Sequence, residues 1–287
     1  MTNLIKKEFA DERTEDITAP NSKSFNVDAG NLSHRDYNKI LDLGETNISY
    51  LEAFRLFMNA MAMCNECLIE RDEDKPDEFQ YTSVSPDEIA LANAANRFGY
   101  KLIKRNGEQA IVEELSEKMN YSIPIVFEFD SDRKRQSVIV KYDDQYILFV
   151  KGADSAILSQ LNTDIKQSYK EEMKTFLYNA SVKGLRTLCY AVKILSDDEY
   201  KNILDSYHDI LSRPNREKNL RVLAKKIENK LILIGATAIE DKLQDMVSET
   251  IKDLSDAGIK VWMITGDKLE TAENIALSCG ITNLDMS

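Results

Sequence analysis

The sequence predicts an α+β domain built on an antiparallel sheet flanked by helices, followed by a partial α/β unit. Three observations carry this. Residues 123–129, 137–140 and 146–150 are apolar, β-branched runs, the last two flanking Asp143-Asp144, which reads as a hairpin turn. Helical patterns lie on both sides of these runs, with Ile48, Leu51, Phe54, Met58 and Met61 at core-facing spacing before them. From residue 231 the order becomes strand, helix, strand, helix, the βαβα pattern of a parallel sheet.

Residues 1–45 are polar and weakly periodic, which predicts loop with one short strand near the start. A helix follows within residues 46–68, then a charged loop around Lys75-Pro76-Asp77. Ser85-Pro86-Asp87-Glu88 opens the next helix: Ser85 suits the N-cap, Pro86 the first position, and Glu88 the place of a capping box. That helix should reach Arg97 and stop at Gly99. Strands fill residues 100–150, then come a helix over 170–182, a strand over 186–192 and charged helix over 196–230. The apolar run 231–236 marks a composition shift, where a domain boundary is placed. Leu243, Val247, Ile251 and Leu254 form one helical face ending at Gly258. Residues 259–264 read as a strand that delivers Thr265-Gly266-Asp267 to its carboxyl end, with a helix from about Lys268. The expected units are therefore 1–45, 46–230 and 231–287.

A length of 287 residues holds one large or two medium domains. The apolar fraction of 43% and charged fraction of 30% are those of an ordinary globular protein. A net charge of −12 argues against a duplex-wrapping nucleic-acid binder, while leaving room for a local positive patch that holds a nucleotide. No apolar run is long enough to span a membrane, and residues 1–20 lack a secretory h-region. Cys64, Cys67, Cys189 and Cys279 are too few and scattered for a disulfide framework, which points to a reducing, cytosolic setting. Cys64 and Cys67 have metal-ligand spacing, but with only His34 and His208 elsewhere they read as the end of a helix, and no metal site is expected.

Four short motifs carry candidate chemistry. In residues 127–137, Phe129 offers a π-face to a purine with Arg133, Lys134 and Arg135 nearby for phosphates; the competing reading is a solvated hairpin turn. Lys151-Gly152 ends a strand, where lysine reaches a ring nitrogen or phosphate and glycine lets a ligand approach the backbone, or where a surface lysine simply precedes a turn. Arg186 begins a strand after Gly184 and suits bidentate phosphate contact or an ordinary surface ion pair. Thr265-Gly266-Asp267 sits between strand and helix, where a helix N-terminus favours phosphate.

In order and rough spacing, Met61-Ala62-Met63-Cys64, Ser85-Pro86-Asp87-Glu88, residues 131–135, Lys151-Gly152-Ala153-Asp154, Gly184-Leu185-Arg186-Thr187-Leu188, residues 239–244 and Thr265-Gly266-Asp267-Lys268 resemble the cytosolic part of a P-type ATPase of the phospholipid-flipping class. The match covers about residues 50–287. The resemblance implies a nucleotide-binding domain followed by part of a haloacid-dehalogenase-like phosphorylation domain. It implies ATP and Mg²⁺ as cofactors, a place on the cytosolic face of a membrane, and phospholipid as cargo of the parent protein, with an accessory subunit left open. It makes Glu88, Phe129, Lys151 and Arg186 nucleotide-binding. Phe129 would stack on adenine, Lys151 border its pocket, Glu88 accept from the base, and Arg186 face the phosphates. Thr265, Gly266 and Asp267 would meet the γ-phosphate and Mg²⁺, and Asp241 would sit at an interdomain hinge.

The family's nucleophile lies in Asp-Lys-Thr-Gly-Thr, which this sequence lacks, as it lacks Gly-Asp-Gly-x-Asn-Asp. No catalytic residue is therefore expected within it, and the chain reads as an ATP-binding fragment that does not turn ATP over by itself. Competing readings are a stand-alone regulatory module or degenerate relative without transport, and a small-molecule phosphatase sharing the phosphorylation fold, which leaves residues 50–230 unexplained.

Overall fold

The computed structural model describes residues 40–42, 47–71, 79–142, 144–163, 165, 167–240, 243–266 and 269–282. Strands β1 (Ile40–Asp42) and β2 (Asn47–Ser49) pair antiparallel and lead into helix α1 (Tyr50–Met63). A second small ribbon joins β3 (Leu68–Arg71) to β4 (Phe79–Thr82). Helix α2 (Pro86–Arg97) ends at Gly99, whose φ of +82° only glycine adopts without strain.

The body is one seven-stranded antiparallel sheet: β5 (Tyr100–Asn106), β6 (Gln109–Glu114), β7 (Glu117–Asp130), β8 (Arg135–Tyr142), β9 (Gln145–Gly152), β10 (Arg186–Leu195) and β11 (Ile232–Ile239). Spatial order follows chain order, β11-β10-β9-β8-β7-β6-β5. The expected hairpin is present, with Tyr142 opposite Gln145. Between β9 and β10 lie α3 (Asp154–Leu158) and α4 (Gln167–Val182), and between β10 and β11 lie α5 (Asp197–Leu211) and α6 (Arg216–Ile227). Helices α7 (Val247–Asp256) and α8 (Leu269–Ser278) follow.

Both sheet faces are covered, which is why β8 and β9 read as continuous apolar runs instead of alternating ones. One face buries Val138, Val140, Phe149, Tyr190 and Val192 against α1 and α2 through Leu56, Met63, Leu91 and Ala95. The other buries Ile125, Phe127, Ile139, Leu148 and Leu233 against α3–α6 through Ile157, Leu177, Ile203 and Leu223. Helix α5 starts on a capping box: Ser196 Oγ accepts from the Glu199 N–H and the Glu199 carboxylate accepts from the Ser196 N–H.

The structure departs from expectation in three places. The strand after residue 231 does not begin a parallel sheet. Its residues Ile232–Ile239 pair antiparallel with β10, Arg186 opposite Ile239, so the sheet runs through the position chosen as a boundary. The composition shift there marks entry into a buried strand, not into a new layer. Residues 259–264 form no strand: Ile259 and Ile264 are exposed, and Trp262 is 82% exposed. An apolar run needs a neighbour to become a strand, and the described residues give it none. Helix α7 accordingly has no fully buried residue, and its apolar positions Val247, Ile251 and Leu254 are only half-buried. The third departure, at Ser85, belongs to the site below. The short strand expected before residue 40, the Lys75-Pro76-Asp77 loop and Asp241 lie outside the described residues.

Candidate functional site

Strand register brings the scattered motifs to one end of the sheet. Asp130, which follows Phe129 on β7, lies opposite Arg135, Arg135 opposite Gly152, and Gly152 opposite Cys189 on β10, three residues after Arg186. Helix α2 brings its first turn to the same end. Phe129, Lys151, Arg186 and Glu88 therefore belong to one end of the fold although 98 residues of sequence separate the outermost pair, Glu88 and Arg186.

Glu88 shows how. The sequence predicts that it closes a capping box with Ser85, but Ser85 makes no side-chain cap bond. The Glu88 carboxylate turns instead to the Lys151 ammonium, 2.7 Å away, and accepts also from the Glu66 N–H at 3.0 Å and the Ser83 hydroxyl at 3.1 Å. Burial raises its pKa, but the Lys151 charge and these hydrogen bonds outweigh burial and hold the carboxyl below its ordinary value. A cation reached through tertiary structure outcompetes a local cap because the pair is both charged and shielded.

Lys151 is only 7% exposed, so it is not a surface lysine. Its cross-strand neighbours Gln136 and Tyr190 share its face, and Gln136 Nε2 donates to Glu66 at 3.2 Å. Phe129 is the opposite case. It is 62% exposed, while Phe127, two residues earlier, is 3% exposed in the core. An uncovered aromatic face at the end of a strand is what a planar ligand stacks on. Arg186 is partly exposed and pairs with Asp87 Oδ2 at 3.3 Å, so its guanidinium belongs to an ion pair at this end of the sheet.

One expectation falls, and another gains a reason within the fold. Arg133 and Arg135 are not free cations for phosphates, and although Arg133 belongs to the turn, neither side chain is solvated. Both are buried, and both bind the buried carboxylate of Glu228, which also accepts from the Ser137 hydroxyl at 2.6 Å. Lys134 alone of the three is exposed, in a left-handed conformation with φ +53°. Gly152 is required small by the fold itself. A Cβ there would lie 2.5 Å from Arg135 Cβ and 2.6 Å from the Lys134 carbonyl, so glycine permits the close approach of β8.

Thr265 and Gly266 are exposed in the segment without strand pairing, Asp267 lies outside the described residues, and no described contact brings this segment to Lys151 or Phe129. What ties the last helix to the body is Asn274 on α8, whose Nδ2 donates to the Val182 carbonyl at 2.8 Å beside Gly184. Cys64 and Cys67 are buried; burial pushes their thiols up to about 11 and about 12, so both are protonated at neutral pH.

The residues missed by sequence reasoning are Glu66 and Ser83, which share Glu88 with Lys151, and Asp87, which holds Arg186. Glu66 and Ser83 belong to loops and carry no periodic signal. Asp87 sits inside the quoted Ser85-Pro86-Asp87-Glu88 motif, whose acidic pair reads locally as helix N-terminus chemistry.

Among the described residues no helix is long and apolar enough to cross a membrane. The family model of the P-type ATPase cytoplasmic domain N matches residues 53–246. The chain is 40% identical over 246 residues to the phospholipid-transporting ATPase DNF1 of Chaetomium thermophilum, covering 85% of this chain and 16% of that protein. It is 42% identical over 235 residues to the phospholipid-transporting ATPase DRS2 of Saccharomyces cerevisiae, covering 80% and 17%. It is 38% identical over 233 residues to the human phospholipid-transporting ATPase IC, covering 80% and 18%. The chain thus spans about a sixth of the length of these relatives. With the antiparallel sheet and the motifs gathered at its end, the match over residues 53–246 shows that this chain belongs to the P-type ATPases and carries their cytoplasmic domain N.

Proposed function

We propose that this chain is the ATP-binding cytosolic portion of an ATP-driven phospholipid flippase, one that moves aminophospholipid across a bilayer. The observation that carries the reading is the shielded Lys151–Glu88 pair at the same end of the sheet as the exposed Phe129 ring. An adenine stacks on Phe129; Lys151, held in place by Glu88, borders it, and Glu88 accepts from the base. Arg186, oriented by Asp87, faces the phosphates. The names of the relatives supply the phospholipid class.

The residues after β11 belong, in this reading, to a phosphorylation-domain part, in which Thr265, Gly266 and Asp267 meet the γ-phosphate. In this reading Mg²⁺ comes with the nucleotide and is met by Asp267. Lipid, membrane and any accessory subunit are engaged by other parts of the parent, whose turnover needs an acceptor aspartate.

Calorimetric titration with ATP tests the site. The parent chain should bind, and Lys151→Ala and Phe129→Ala should each weaken binding about tenfold or more, the loss of one good contact. A folded parent chain that binds no ATP overturns the reading. The alternative, a regulatory module without transport, predicts the same titration but no acceptor-aspartate motif and no membrane helices in the gene upstream of residue 1.

A further inference from the structure

Under the opposite face of the sheet from the Lys151–Glu88 pair lies a second buried polar cluster. Glu228 caps the C-terminus of α6 and is completely buried. Its carboxylate accepts from Arg133 Nη1, from Arg135 Nε at 2.7 Å and from Ser137 Oγ at 2.6 Å. Arg135 and Ser137 project to one face because side chains alternate along β8, and Arg133 reaches the same carboxylate from the turn. One carboxylate thus gathers two guanidiniums and a hydroxyl from a five-residue stretch that lies about 90 residues earlier in the sequence.

That stretch runs from the β7–β8 turn into β8, and the turn fixes the end of β7. Arg133 Nη2 donates to the carbonyl of Glu128 at 2.7 Å, the peptide that leads into Phe129. The Arg133 N–H donates to Asp130 Oδ1 at 2.7 Å and the Lys134 N–H to the Asp130 carbonyl at 2.7 Å. The Lys134 carbonyl accepts from the Ala153 N–H at 3.0 Å, which ties the turn to the residues after Lys151. Outside, Arg221 of the same helix α6 reaches Asp130 at 2.7 Å and Asp132 at 2.5 Å. The turn is fastened to α6 from within and from without, while Phe129, between the fastened points, stays exposed.

We infer that Glu228 is a positioning residue for the nucleotide site: through Arg133 and Arg135 it sets where the Phe129 ring stands relative to Lys151. This deepens the proposed nucleotide reading and rests on it for the ligand. A shielded carboxylate with two arginines is costly to assemble, and a purely apolar contact would hold α6 as well. What the ionic cluster adds is directional hold on the backbone, at the Glu128 carbonyl through Arg133 and at the Arg133 carbonyl, which accepts from Arg135 Nη1 at 3.4 Å.

The test compares Glu228→Gln with Glu114→Gln. Glu114 is also buried, accepts from Arg55 at 2.8 Å and Asn59 at 2.9 Å, and sits at the other end of β7, opposite Glu117. Two readouts are taken at a temperature where each variant is folded: the aromatic NMR resonances of Phe129, assigned through Phe129→Leu, and ATP affinity by calorimetry. Glu228→Gln should move the Phe129 resonances and weaken ATP binding roughly tenfold, the effect of a contact displaced by about 1 Å. Glu114→Gln should do neither. Should Glu228→Gln not fold, Glu228→Asp serves, because it keeps the charge and withdraws the carboxylate by one methylene; it should move the resonances in the same direction. The inference is overturned if the Glu228 variants leave the Phe129 resonances and ATP affinity unchanged, or if Glu114→Gln reproduces both changes. If the parent chain binds no ATP, the nucleotide reading falls, and the Phe129 resonances alone decide whether Glu228 positions the ring.

Discussion

Glu88 Oε1 and Lys151 Nζ lie 2.7 Å apart, joining the first turn of α2 to the last residues of β9 with little of either side chain exposed. Removing one partner leaves the other charge shielded and alone, so Glu88→Gln should cost about 2–3 kcal/mol at neutral pH. The Glu88 carboxyl is held below its ordinary value, so its contribution is complete above the ordinary carboxylate range. It is lost as pH falls through the depressed value. Urea unfolding of parent and variant from pH 7 down to pH 3 should show a constant gap that closes in acid. A gap that widens on acidification contradicts the assignment.

Phe127 and Phe129 separate stability from binding. Phe127 is buried against Tyr207 with ring centroids 5.9 Å apart, so Phe127→Ala should lose about 3–5 kcal/mol. Phe129→Ala should change stability by no more than about 0.5 kcal/mol, since the ring is largely in solvent. Chemical denaturation of the two variants checks the contrast; equal losses would mean that Phe129 is a core residue.

Gly152→Ala should be destabilising by about 2 kcal/mol or more, because the new Cβ meets the Lys134 carbonyl at 2.6 Å and backbone cannot swing aside as a side chain does. Gly266→Ala has nothing within 4 Å and should fall within about 0.5 kcal/mol of the parent. Thermal unfolding of both variants beside the parent measures the difference, and a neutral Gly152→Ala would show that β8 and β9 are less closely apposed.

Among the described residues, the tail after β11 should be the least protected part outside the surface loops. Residues 259–264 have no strand partner among the described residues, and an open apolar groove lies along Ile251, Ile259, Trp262 and Ile281. Hydrogen exchange at residues 261–264 should run orders of magnitude faster than at residues 125–127 in the sheet centre. Equal protection would require a partner strand for this segment.

Elements written in local pattern were legible in the sequence. The helix from Pro86 to Gly99 follows from Pro, acidic first turn and glycine stop, and the β8–β9 hairpin from two apolar runs about a polar pair. Glu88 is a site candidate through the resemblance alone; its local position reads as a capping box, which does not form because the carboxylate turns to Lys151. Arg133 and Arg135 show the limit. A run of cations reads as exposed unless its counter-ion is known, and that counter-ion is Glu228, distant in sequence and unremarkable at the end of a charged helix. The apolar run 259–264 erred the other way: burial was inferred from composition, whereas burial depends on what lies alongside.

The sheet's strand order repeats its chain order from β5 to β11. Each strand leaving the ribosome therefore meets an edge that its predecessor has already formed, and no strand must wait for a later one to be inserted beside it. Nascent chains halted after β9 should already hold a five-stranded meander. What they would lack is α6 and Glu228, so the Phe129 end of the sheet is the part of the domain whose final shape is settled only near the end of its synthesis.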